Sequence, residues 1–254
     1  MNKYDDLKKI PISIPIRTWD WTKVRSIRIE ENGEKLVPLS LAPDKILVSP
    51  QYYIQGISGA LPECYARETV YHKLIEASKL LPRGYKLVIL DCWRPLKIQY
   101  SLFEILKREL KKQFPLASEE EINNETLKYV ALPSNDPARP SPHNTGGAVD
   151  LTIADEDGNL LNMGTGFDDT TPKSRTIYFE ELLERGENLN AEELEALENR
   201  RLLYHIMTSV GFSNYLEEWW HYDYGNQNWA WMKGKDVAIY GKTVPLFPWR
   251  KDIE

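Results

Sequence analysis

The amino-acid sequence predicts an α+β fold: a single domain over residues 1–254, with a core of about 50–225, in which a small, mostly antiparallel sheet carries the chemistry and helices pack on one side. Three observations predict it. Short runs of β-formers are interleaved with longer runs at helical spacing, in no regular βαβ alternation. No self-similar period of 20–50 residues is visible, which excludes a solenoid or propeller. No stretch reads as a linker between two folding units, and 42% hydrophobic residues suffice for one sizeable core.

The elements follow in order. Residues 1–50 are mixed and Pro-rich, with β-like pieces such as 46–49 and a hairpin-turn signal at Asn32-Gly33. Residues 50–62 read as loop. Over 63–81, Ala66, Val70 and Leu74 share one helical face with Ile75 and Leu81 beside it, and Pro82-Arg83-Gly84 ends the helix. Residues 85–91 (YKLVILD) form an apolar run that fits a buried strand. Its end delivers Asp91-Cys92-Trp93-Arg94-Pro95 to a strand-to-helix junction, and Pro95 suits the first turn of a helix striped by Leu102, Phe103, Leu106 and Leu110. An acidic helix is predicted over about 118–130, where Ser-Glu-Glu-Glu is a good N-terminal signature. A Pro-rich loop then leads to a strand at 147–153, a turn at 155–158 and a loop at 162–175. A long helix spans about 190–210, with Leu194, Leu197, Leu203, Ile206 and Val210 inward and Gly211 as its stop. Residues 212–224 read as strand.

Composition excludes several classes of function. With 32 basic and 38 acidic residues the net charge is −6, so there is no broad attraction for nucleic acid or anionic lipid. No stretch approaches the ~18 apolar residues of a membrane span. No apolar run near the start is long enough for a signal peptide, and the chain reads as cytoplasmic. Cys64 and Cys92 share no metal-ligand spacing and read as two reduced, partly buried thiols.

The histidines are the informative residues, because there are only four. His72 and His205 sit among ordinary helical neighbours and read as structural or surface groups. His143 lies in Ser141-Pro142-His143-Asn144-Thr145-Gly146-Gly147-Ala148-Val149-Asp150, where small residues let the backbone pass close to a metal or ligand. Glu218-Trp219-Trp220-His221 sets a carboxylate three residues before a histidine. On a straight strand these two would face opposite ways, so a bend or bulge is required between them. His143, Asp150 and His221 make three ligands, the number a catalytic zinc site uses while keeping a position open for water. Glu218 suits the base that takes a proton from that water, with Glu217 its positional competitor. Arg94, at the end of a buried strand, offers a fixed charge for a developing oxyanion, or a salt bridge to Asp91.

Four blocks in order, DCWRP (91–95), SPHNTGGAVDLTI (141–153), MGTGFD (163–168) and EWWHY (218–222), resemble the VanX-type D-alanyl-D-alanine dipeptidases of the zinc D,D-peptidase family, which shares its fold with the hedgehog signalling domain. The resemblance implies one Zn2+ per chain held by His143, Asp150 and His221, Glu218 as base and Arg94 as the transition-state arginine. It further implies that Asp168 binds the free amino group of a small dipeptide and that Ser141 lines the substrate site. A tyrosine near the amine pocket is either Tyr52 or Tyr53. The first 40–50 residues and the segment after Gly225 have no counterpart in this resemblance, and Pro142 and Asn144-Thr145 depart from the commonest family residues, where loop changes alter substrate choice without touching the metal. The expected partner is a small dipeptide, with neither nucleic acid nor membrane. The alternatives are a zinc D,D-carboxypeptidase or cell-wall peptidase on longer peptides, and a non-catalytic zinc-binding module.

Overall fold

The computed structural model describes residues 6–13, 18–127, 130 and 134–246 of the chain. Its strands are β1 (Arg28–Ile29), β2 (Leu36–Pro38), β3 (Ile46–Val48), β4 (Tyr65–Arg67), β5 (Lys86–Asp91), β6 (Ala148–Ala154), β7 (Ser213–Asn214), β8 (His221–Asp223) and β9 (Val237–Ala238). The helices are α1 (Trp21–Ser26), α2 (Gln51–Ile54), α3 (Glu68–Ser78), α4 (Leu96–Gln113), α5 (Glu119–Thr126), α6 (Tyr178–Glu184), α7 (Ala191–Ser209) and α8 (Gln227–Met232). The central sheet has five strands in the order β3-β5-β6-β8-β7, and every neighbouring pair except the parallel β3/β5 is antiparallel. This is the α+β arrangement that the sequence predicts.

Alternation along the strands divides the sheet into two faces. Leu87 and Ile89 of β5 and Val149, Leu151 and Ile153 of β6 join Val70, Leu74 and Ala77 of α3 and Leu202, Leu203, Ile206 and Met207 of α7 in the main core. The opposite parity brings Val88, Leu90 and Ala154 into a small separate cluster. Asp150 shares that second parity. The helix-covered face is thus a sealed apolar core, and the other face is free to carry polar groups.

Several predicted elements shift for tertiary reasons. The helix expected over 63–81 begins only at Glu68, because 65–67 pair with β2 as β4. Gly33 does adopt φ +76°, yet the strands on either side of Asn32-Gly33 pair elsewhere, with β9 and β4, so no hairpin forms. The expected loop at 50–62 contains α2. The acidic helix closes at Thr126 and starts with the capping box between Ser118 and Glu121. Leu194, expected inward, is 45% exposed, whereas Leu197, Leu203 and Ile206 are buried as expected. The single strand expected at 212–224 is a hairpin: β7 pairs antiparallel with β8, and the chain turns between them.

Candidate active site

Asp150 and His221 stand directly opposite each other in the β6/β8 ladder, so their side chains emerge together on the face away from the helices. His143 comes from the 3-10 turn Pro142–Thr145 that leads into β6. Two glycines permit this approach. Gly146 closes the turn at φ +69°, and a Cβ on Gly147 would lie 2.3 Å from the carbonyl oxygen of Tyr224. The three side chains are 5%, 2% and 5% exposed for His143, Asp150 and His221, which seals the site against casual solvation.

Their donor atoms form a triangle. His143 Nε2 lies 3.3 Å from His221 Nδ1, His221 Nδ1 lies 3.0 Å from Asp150 Oδ1, and His143 Nε2 lies 3.4 Å from Asp150 Oδ2. Tetrahedral zinc bonds of ~2.0–2.1 Å imply ligand-to-ligand edges of ~3.3 Å. The remaining ring nitrogens decide the tautomers. His143 Nδ1 donates to the Cys92 carbonyl at 2.7 Å, and His221 Nε2 donates to Asp223 Oδ2 at 3.1 Å. Each ring therefore turns its other nitrogen into the triangle, where two imidazole nitrogens meet a carboxylate. That arrangement calls for a cation, and the donor set fits a metal ion.

Burial holds the His143 imidazole below its ordinary range, which leaves it neutral and ready to ligate. At His221 burial also opposes charge, but Asp223 and Asp150 outweigh it and draw positive charge to this ring, which a proton or a metal can supply. Asp223 is fully buried and takes donors from Asn226 at 2.6 Å and Asn228 at 3.1 Å as well as from His221, so it is itself held rigidly.

The bend required between Glu218 and His221 is a tight turn, in which His221 N–H donates to the Glu218 carbonyl at 3.3 Å. It brings Glu218 Oε2 within 3.8 Å of His221 Nδ1. Burial, ahead of the nearby Asp150, pushes the Glu218 carboxyl up to about 8. Glu217 points the other way, exposed and paired with Arg175 Nε at 3.3 Å. Geometry thus separates the two glutamates that spacing left in competition.

Arg94 is pinned on two sides. Its Nε and Nη2 donate to Asp91 Oδ2 at 3.0 and 2.8 Å, and its Nη1 donates to Gln99 Oε1 at 2.9 Å. Asp91 reaches this face through an irregularity of the β5/β6 register between Ile89 and Asp91, which reverses the parity that would otherwise turn it toward the core. The Arg94 guanidinium lies over the Tyr52 ring at 4.9 Å, and its Nη2 donates to the Tyr52 hydroxyl at 3.3 Å. Tyr53 is 51% exposed, so Tyr52 is the tyrosine at the site. Ser141 is buried beside the turn that bears His143.

Asp168 sits on the loop between Met163 and Arg175. Among the described residues it is the one non-glycine with positive φ, at 60°. Beneath that loop Arg200, 1% exposed, donates Nε to the Met163 carbonyl at 2.7 Å, Nη1 to that of Arg175 at 2.7 Å and Nη2 to that of Lys173 at 2.8 Å. Burial pulls its pKa down to about 9, still above neutrality, so the group stays cationic while it holds three carbonyls.

Sequence reasoning did not single out Asp223, Gln99 or Arg200. Only Asp223 had a local signal: two residues beyond His221 on one strand, it must share that residue's face. Cys64 and Cys92 are both buried and unpaired, in line with the reading of two thiols. No helix among the described residues is long and apolar enough to cross a membrane.

Comparison with known proteins gives a consistent result. A family model described as D-ala-D-ala dipeptidase matches residues 60–239, and its last 14 residues, 226–239, are part of the segment after Gly225 that the sequence resemblance left without a counterpart. The chain is 29% identical over 236 residues to the D-alanyl-D-alanine dipeptidase of Synechocystis sp., covering 86% of this chain and 95% of that one. It is 31% identical over 140 residues to the enzyme of the same name from Escherichia coli, 55% of each chain. The match to the one from Enterococcus faecalis is 33% over 147 residues, 55% of this chain and 62% of the relative.

Proposed function

The chain belongs to the D-ala-D-ala dipeptidase family, and from that premise we propose that it is a zinc peptidase hydrolysing D-alanyl-D-alanine or a related free D,D-dipeptide. The observation that carries this reading is the triangle of His143 Nε2, Asp150 and His221 Nδ1, with edges of 3.0–3.4 Å and one nitrogen of each ring turned inward. Two imidazoles and one carboxylate suit zinc, and three ligands leave a position open. When bound there, zinc would polarise the scissile carbonyl and lower the pKa of water.

The protein's own groups then divide the work. Glu218, on the ligand side of the hairpin turn, takes the proton of the attacking water and passes it to the leaving amine. Burial raises the proton affinity of this carboxyl, and a cation at the triangle would draw it back toward the ionised form that a base needs. Arg94 is kept charged and oriented by Asp91 and Gln99, and it faces the negative charge that develops on the carbonyl oxygen. Asp168, beside Tyr52, pairs with the substrate ammonium, and Ser141 lines the dipeptide cavity. Selection for a free amine argues against a carboxypeptidase acting on longer peptides. All 254 residues are proposed to act as one such domain, and two buried, unpaired thiols support a reducing, cytoplasmic setting.

Turnover of D-Ala-D-Ala and of N-acetyl-D-Ala-D-Ala, with added zinc and with chelator, tests the reading. The free dipeptide is expected to be the better substrate, with activity lost to chelator and restored by zinc. Faster cleavage of the acylated peptide, or undiminished hydrolysis by Glu218→Ala, would overturn it.

A further inference from the structure

His143 is held differently from the other two members of the triangle. Asp150 and His221 are partners in the β6/β8 ladder, which begins at Ala148. His143 precedes that ladder, on the 3-10 turn Pro142–Thr145. Strand register therefore does not place it, and other contacts must.

A buried arginine supplies two of them. Arg67, the last residue of β4, is 1% exposed. Its Nε donates to the Thr145 carbonyl at 2.7 Å, and its main-chain N–H donates to the Gly146 carbonyl at 3.0 Å. Two consecutive carbonyls of the His143 turn thus end on one residue. The carbonyl before them, that of Asn144, accepts from Thr243 N–H at 3.1 Å. Leu36 closes the turn from the same side, since a Cβ on Gly146 would lie 2.3 Å from its Cδ2.

A guanidinium so deep is tolerated only when its charge is paired and its five N–H groups are met. Nη1 and Nη2 of Arg67 donate side by side to Oε1 and Oε2 of Glu31, each at 2.8 Å. Nη1 also donates to the Glu34 carbonyl, and Nη2 to that of Gly241 at 3.0 Å. The group lies 4.9 Å from the Tyr240 ring, whose hydroxyl donates to Glu34 Oε2 at 2.9 Å. Glu31 is fixed in turn by the N–H groups of Gly33 and Gly241. Every donor of Arg67 is used, so the side chain has one place to be. Glu31, Glu34, Tyr240, Gly241 and Thr243 all lie outside residues 60–239, the span the family model matches.

We propose that Arg67 is a positioning residue for the metal ligand His143, and that segments 31–34 and 240–243 serve the metal centre by locking Arg67 in place. The inference rests on the reading of the triangle as a metal site. A ligand held in advance costs less to order when the ion arrives. Without the clamp, the turn keeps its ties to Cys92 and Arg94, so the loss is partial.

Zinc affinity of the full chain, measured by chelator competition without substrate, tests this, together with the visible absorption of the Co2+-loaded chain, which reports ligand geometry. Arg67→Met is expected to bind zinc about tenfold more weakly and to shift the cobalt bands. Arg201→Met is the matched control. It removes a comparable two-bond pair, to Glu180 at 2.7 and 2.6 Å, on the helix-covered side of the sheet. It should lower the melting temperature while zinc affinity and cobalt bands stay as in the wild type. Arg67→Lys keeps the charge but cannot reach both Thr145 and Glu31, and should fall between wild type and Arg67→Met. Glu31→Gln keeps the shape of its side chain and should weaken zinc binding by about threefold; it decides the matter if Arg67→Met does not fold. Zinc affinity and bands as unaffected in Arg67→Met as in Arg201→Met, or wild-type affinity in Glu31→Gln, would overturn the clamp alone. No zinc binding by the wild-type chain would overturn the metal reading and the clamp with it, so the two failures are distinguishable.

Discussion

The metal-facing triad and the loop that carries Asp168 lie side by side, yet they are held in unlike ways. Asp150 and His221 sit on adjacent strands, where the ladder that builds the core also sets their separation. His143 is tied in through the Cys92 carbonyl, at the end of the neighbouring strand. The loop from Met163 to Arg175 has only a three-residue 3-10 turn of regular structure, at its far end, and is gripped from below by Arg200 and from the side by Trp219, whose Nε1 donates to Thr165 Oγ1 at 2.8 Å. The triad thus draws its precision from register, and the loop that carries Asp168 from a few buried side chains. The difference teaches where each half is vulnerable.

The largest effect expected lies at the hairpin turn. Glu218→Gln should cost ~10²–10⁴-fold in turnover with metal content unchanged, whereas Glu217→Gln removes only an exposed ion pair and should leave turnover nearly intact. Steady-state rates alongside metal analysis check the pair, and equal losses in both would mean that the turn does not discriminate between them.

Asp223→Asn comes next. It keeps the shape of the side chain and removes the charge that orients His221, so metal affinity should fall ~10–100-fold in a chelator competition. Unchanged affinity would show that the strand register alone orients the ligand.

Arg200→Met should leave metal affinity in place and act on the loop. Three carbonyls, one buried and two partly buried, lose their donors, at a cost of up to ~1–3 kcal/mol for a buried group left unmet, so the melting temperature should drop. KM for the free dipeptide should rise by about tenfold, or roughly 1.4 kcal/mol, with a smaller change in kcat. Arg200→Lys restores a cation and should recover part of the loss. Equal loss of metal affinity and substrate affinity would break the contrast between the two halves.

The smallest effect is expected at Tyr52→Phe, which deletes a hydroxyl that accepts from Arg94 Nη2 at 3.3 Å. A rise in KM of about fivefold matches one such hydrogen bond. Tyr53→Phe, on the exposed neighbour, should change nothing measurable.

Much of the site was legible because its chemistry is written in residue type and short spacing. His143 and Asp150 lie seven apart across a glycine pair, and Glu218 and His221 lie three apart. The strand 85–91 and the long helix near 190–210 were legible too, since each carries its own periodicity. The start of α3 was not: Ala66 fits a helical face equally well, and only pairing with β2 claims it for a strand. Nor was the loop anchor, because nothing local marks Arg200 among the charged residues of α7, and its three carbonyl partners lie 25–37 residues away.

The sequence by itself determined which chemical groups this protein has to work with: two motif histidines, an aspartate, a glutamate pair and an arginine at a strand end. Residue identity and local spacing suffice for that, because they depend on nothing beyond a few neighbours. The tertiary structure decided which of the candidates meet. It separated Glu218 from Glu217 and Tyr52 from Tyr53, turned Asp91 to the site face through a shift of register, and supplied Asp223 and Arg200. The physical reason is the range of the contacts, since His143 meets His221 across 78 residues and Cys92 across 51. Such pairs form only when the sheet register and the hairpin turn bring them together.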